Sequence, residues 1–134
     1  MKSKNAQRIR KFRSAPRKDL VPVLVSSISS LETLSKIARE AEIVQASSSG
    51  FLVVLKRENL VPLNLRRNLS LEALLGSKVL LQLPQMNLQV SGTIVRTQLI
   101  GKTGYELAID FSEDAPDYWR ECLFDLLPAP GELD

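Results

Sequence analysis

Two arginines, Arg13 and Arg17, stand four residues apart in Arg13-Ser14-Ala15-Pro16-Arg17, just ahead of the first strongly apolar stretch of the chain. Each guanidinium is a planar fork of N–H donors that pairs with phosphate oxygens, or with O6 and N7 of guanine. On an irregular segment two such groups can converge on one anion, and Pro16 stiffens the segment while keeping Ala15 out of helix. A second segment, Gln45-Ala46-Ser47-Ser48-Ser49-Gly50, offers an amide, three hydroxyls and a glycine that lets a ligand approach the backbone closely. Either motif alone is common. Together they could hold an anion by hydrogen bonds, with no bond made or broken.

Little else could do chemistry. The chain has no histidine and one cysteine, Cys122, which excludes the usual zinc ligand sets and leaves the thiol without an activating base. No Gly-rich phosphate loop, nucleophile elbow or dinucleotide fingerprint occurs. The acidic residues Asp110, Glu113, Asp114 and Asp117 are spaced as a strand end followed by a helix start, which explains them better than a metal or acid/base site. A binding protein is expected, not an enzyme.

The 134 residues suit one domain, and 44% hydrophobic with 25% charged residues is the composition of a chain with a packed core. No apolar run approaches the roughly 20 residues of a membrane span, and the basic start is followed by no apolar stretch, so neither a span nor a secretion signal is expected. A cytoplasmic location follows as the default. Charge is unevenly spread: residues 1–18 carry eight basic groups and no acidic one, leaving ten basic against fifteen acidic for the rest. A cationic arm on a mildly acidic body points to an anionic partner for the arm.

The elements that must position these residues are mostly strands. Residues 1–18 are polar and aperiodic and read as a basic arm. Val21–Ile28 reads as a first strand, and Ser29-Ser30-Leu31-Glu32 as a capping box opening a short helix over about 30–39. Strand character returns at 42–44 and 51–55, with the serine–glycine segment as the turn between. A mixed loop fills 56–69, and one helical turn at Leu71–Leu75 ends at Gly76. Strands follow at 79–83, 88–98 and 105–111. A closing helix has Asp114 as its N-cap and an apolar stripe of Tyr118, Trp119, Cys122, Leu123, Leu126 and Leu127, stopped by Pro128 and Pro130. The expectation is a mainly-β fold: an antiparallel barrel or sandwich over 19–128 with a C-terminal helix and a short helical insertion, and a tail at 129–134.

In order and context the two motifs resemble those of PilZ domains, the bacterial receptor modules for the second messenger cyclic di-GMP. That family carries R-x-x-x-R before its first strand, matched by Arg13 and Arg17, and [D/N]-x-S-x-x-G further on, matched at Ser47 and Gly50. The later pattern is also similar: Leu74 to Val79 entering a strand, Gly92 to Arg96, then Tyr105 to Phe111 and a terminal helix. The resemblance spans roughly residues 10–127. It implies a six-stranded antiparallel barrel and an arm that closes over the dinucleotide. It further implies a ligand site of Arg13, Arg17, Gln45, Ser47 and Gly50 and relay of the signal to an effector protein. Arg10 is a further candidate, for a second ligand molecule. Gln45 stands where the family has Asp or Asn; its longer stem has more rotamer entropy to lose, which predicts weaker binding.

Two other readings stay open. A PilZ-like barrel with an altered turn could be a protein–protein module without nucleotide, docking through the loop 56–69. A barrel gripping nucleic acid by its arm is disfavoured, because the body is net acidic and aromatics for base stacking are only 5% of the chain.

Overall fold

The computed structural model describes residues 17–67 and 71–127, without the side chains of 117–119. Arg10 and Arg13 in the arm, the side chains of Asp117, Tyr118 and Trp119, and Pro128, Pro130 and the tail lie outside the described residues.

Eight antiparallel strands make one sheet: β1 (Lys18–Val25), β2 (Ser27–Ser30), β3 (Lys36–Ala38), β4 (Ala41–Ser47), β5 (Gly50–Lys56), β6 (Lys78–Leu83), β7 (Leu88–Ile100) and β8 (Gly104–Asp110). Their order is β1-β4-β5-β8-β7-β6-β2-β3. Two helices accompany them, α1 (Leu63–Arg67) and α2 (Asp117–Leu126).

The strands form because apolar residues recur every second position, which puts them all on one face. β8 shows it most simply: Tyr105, Leu107 and Ile109 are buried and pair with Leu55, Val53 and Phe51 of β5, a strand apolar throughout 51–55 in which only these alternate positions are buried. Phe51 also stacks on Phe111, with ring centroids 4.8 Å apart. Leu123 of α2 and Leu127 just after it join the same core, and Phe124 packs against it. No helix among the described residues is long and apolar enough to cross a membrane.

Four sequence expectations are corrected. The count is eight strands, not six, and the end strands β1 and β3 do not pair to close a barrel. The stretch read as one first strand breaks at Ser26 into β1 and β2, with the inward sequence stepping three residues from Val25 to Ile28. The remaining strand, β3, comes from the segment expected to be helical.

That segment is a hairpin. The Ser30 hydroxyl does accept from the Thr33 amide, 3.2 Å, as a helix cap would. One turn later Leu34 enters the left-handed region at φ 60°, and the Ser30 amide donates to the Ser35 carbonyl, 2.8 Å, pairing the strands instead. Leu31 and Leu34 are both exposed, so a helix here would have had no apolar face against the core, and an isolated short helix is not stable in water. Ile37 and Ala38 are buried through the strand geometry.

The closing helix is present, but its stripe is narrower than its sequence suggests: Cys122 and Leu126 are exposed. Its first turn is preceded by Pro116 without a side-chain cap, and Asp114 has another role. The Asp114 carboxylate accepts from Ser91 Oγ, 3.1 Å, and lies 3.7 Å from Lys78 Nζ, joining the helix approach to β6 and β7. The loop at 56–69 is also more ordered than expected, holding a 3-10 turn at Arg57–Asn59 and then α1.

Candidate functional site

The strand register shifts at four places among the described residues, one of them between Ile28 and Ser29 in the β2–β3 pair, and two of the others aim side chains at one groove. In β4 the register slips between Ile43 and Gln45, so the buried positions step from Ile43 to Ala46 and Gln45 turns outward. In β7 it slips between Ile94 and Arg96, leaving both Val95 and Arg96 exposed on the outer face. A third slip in β1, between Asp19 and Val23, lies beside the same residues. A bulge inserts one unpaired residue and so reverses the in–out parity of everything beyond it.

The resulting groove, about 60 Å³, crosses the outer face of the sheet and is lined by Arg17, Gln45, Ser47, Gly50, Leu52 and Arg96 among others. The structure therefore brings together four residues singled out from two distant motifs: Arg17, Gln45, Ser47 and Gly50. Its floor is apolar and flat where Leu52 of β5 and Ala108 of β8 face each other across the ladder. Arg17 is exposed at the mouth. Sixty cubic ångströms is room for a few atoms, so this is a floor against which a ligand could lie, not an enclosure.

The serine–glycine turn is shorter than the sequence suggests, because β4 runs to Ser47 and β5 starts at Gly50. Ser47 Oγ accepts from the Ser49 amide, 3.2 Å, and shares a hydrogen bond with Ser49 Oγ, 3.0 Å. Ser49 is buried and its carbonyl accepts from the Phe111 amide, 2.9 Å. Its hydroxyl is thus part of the turn's own structure and not a free donor. Arg120 of α2 donates from Nη1 to the Ser48 carbonyl, 2.9 Å, tying the turn to the helix. Arg120→Ala is expected to lower stability by about 1–2 kcal/mol, the loss of a charge-assisted bond, and to sharpen proteolysis at the turn. Urea unfolding and limited proteolysis would check it.

Two residues of the site escape sequence reasoning. Asp19 pairs with Gln45 across β1 and β4, and the Gln45 amide donates from Nε2 to Asp19 Oδ1 at 2.7 Å. A carboxylate therefore stands beside Gln45 although neither motif contains one. Arg96 adds a guanidinium from β7. Strand pairing made the first neighbour and a bulge made the second; only the basic character of Arg96 was visible beforehand. Asp110, at the end of β8, accepts from the Ser112 amide, 2.7 Å, which forms a tight local turn. Among the described residues no group of three or more acidic or sulfur ligands is placed to hold a metal ion.

No protein-family model matches the chain. A search of curated proteins finds no significant match either.

Proposed function

We propose that the chain is a PilZ-like receptor for cyclic di-GMP that relays the signal to an effector protein through the geometry of its basic arm. One observation carries this reading: Arg17, Gln45, Ser47 and Gly50, picked from motifs about thirty residues apart, line a single groove. Arg17 at its mouth and Arg96 at its far wall would take phosphate oxygens, with Arg13 and Arg10 arriving from the arm. Leu52 and Ala108 make a surface on which a purine can lie.

Asp19 supplies a second acceptor beside the single carbonyl oxygen of the Gln45 side chain. Its second oxygen and the Gln45 carbonyl oxygen offer two acceptors to the N1–H and N2–H donors of guanine, and the 2.7 Å bond between the two side chains reduces the rotamer freedom left to lose.

The test is calorimetric titration with cyclic di-GMP and, in parallel, cyclic di-AMP. Saturable micromolar binding of the first is expected, at least about tenfold tighter than the second because adenine lacks the donor edge that Asp19 and Gln45 accept. Asp19→Asn should narrow that preference, since an amide offers one acceptor oxygen where the carboxylate offers two. Absence of heat with either dinucleotide would end the receptor reading and leave a protein–protein module.

A further inference from the structure

A second cavity lies at the opposite end of β5, about 20 Å from Gly50 at the usual strand rise. It measures about 540 Å³ and is lined by Lys56, Arg57, Glu58, Arg66 and Thr103. Neither arginine side chain belongs to the groove described above.

Both are held in place by contacts that leave the side-on edge of Arg57, and Nε of Arg66, without a partner among the described residues. The Arg57 amide donates to the Thr103 carbonyl, 2.7 Å, and its guanidinium carbon sits 5.7 Å from the centroid of the Tyr105 ring, itself buried. Arg66 donates from Nη2 to the Val61 carbonyl, 3.3 Å. Yet Arg57 Nε and Nη2 and Arg66 Nε are hidden from solvent with no hydrogen-bond partner among the described residues. Nε and Nη2 are the two nitrogens of the side-on edge, the fork that grips a carboxylate or phosphate through parallel N–H···O bonds. Hidden N–H groups on a charged side chain are costly unless an acceptor reaches them, and such orphans call for an explanation.

We propose that this cavity is a binding site for a phosphate dianion, gripped side-on by Arg57 and assisted by Arg66 and Lys56. Charge chooses the ligand. Three cations against the single carboxylate of Glu58 leave two positive charges around the cavity, which match a phosphate monoester at about −1.5 to −2 better than a lone carboxylate. The volume exceeds one phosphate group, leaving space for the organic part of a monoester. The exposed side chains of Lys56 and Glu58 flank the cavity. This site is independent of the dinucleotide groove.

The experiment is a titration at low ionic strength with inorganic phosphate, glycerol phosphate and acetate, followed by amide shifts of residues 56–66 and 103. Saturable phosphate binding is expected, with acetate at least tenfold weaker; glycerol phosphate binding tighter than phosphate would assign the site to organic monoesters, and equal binding to the free ion. R57K keeps the charge but loses the fork, and should weaken phosphate at least tenfold. E58Q removes the opposing charge and should tighten it. R66K is read the same way should R57K fail to fold. The proposal is overturned by phosphate that does not saturate, by acetate binding as tightly, or by unchanged affinity in both lysine variants.

Discussion

Gly50→Ala is expected to cost about 3 kcal/mol of stability, a loss beyond most single substitutions. A methyl group there would stand 2.2 Å from the Ile109 carbonyl oxygen, 3.1 Å from its carbon and 3.2 Å from the Asp110 α-carbon. All three atoms are backbone of β8, to which Gly50 is paired, so no rotamer change relieves the contact. Only separation of the β5–β8 ladder does. The other glycines grade the prediction. Gly92 would meet the branch methyl of buried Ile109, Cγ2 at 2.8 Å, and the Asp110 carbonyl oxygen at 2.9 Å, both farther than the nearest atom facing Gly50, and should cost somewhat less. Gly76 has φ +83° with nothing within 4 Å of a methyl group, so its alanine variant pays only the left-handed strain of about 1–2 kcal/mol. Urea midpoints at constant slope should therefore fall in the order Gly76, Gly92, Gly50, the last falling most. A Gly50 variant as stable as the parent would mean that the β5–β8 register is not as described.

The second large effect falls on binding. Arg13→Ala/Arg17→Ala should lower affinity for cyclic di-GMP by about a hundredfold or more, because each charge-assisted contact to a phosphate is worth about 1.5–3 kcal/mol. Arg17→Ala alone should leave about a tenth of the parental affinity. Arg17 is exposed ahead of β1 and contributes nothing to the core, so the variant should unfold at the parent's urea midpoint within about 0.5 kcal/mol. That separates a lost contact from a lost fold. Calorimetry of the single and double variants decides it: parental affinity in the double variant would remove the arm from the site and, with it, the proposed route of the signal. The affinity should also fall as salt rises, since the contacts are ionic.

Much of this protein was legible in local pattern. The apolar run Phe51–Leu55 and the alternating run Tyr105–Phe111 became paired strands, and Pro84–Asn87 became a turn with Asn87 at φ 51°. Gly76 took the positive φ expected of a residue that ends a helical turn. These succeed because the information is local: period two buries one face of a strand whatever lies beyond it, and a positive φ selects glycine or asparagine wherever it occurs. The helix over 30–39 failed on the same principle turned round. Its cap was real, but capping contributes about 1 kcal/mol and cannot replace the apolar face that Leu31 and Leu34 leave in solvent.

The sequence by itself determined a mainly-β chain, the two motifs that hold the arginines, Gln45 and the serines, and the charge of residues 1–18. The tertiary structure decided which of those side chains share a surface. By simple alternation from Ile43 and Ile94, Gln45 and Arg96 would both point inward; one extra residue in each strand turns both of them out into the groove. Asp19 reached Gln45 through pairing between strands twenty-six positions apart, and Arg57 and Arg66 met across a strand end and a helix. Bulges and pairings of this kind are chosen by the curvature and closure of the whole sheet, a balance summed over all its strands, and no local window of sequence contains that sum.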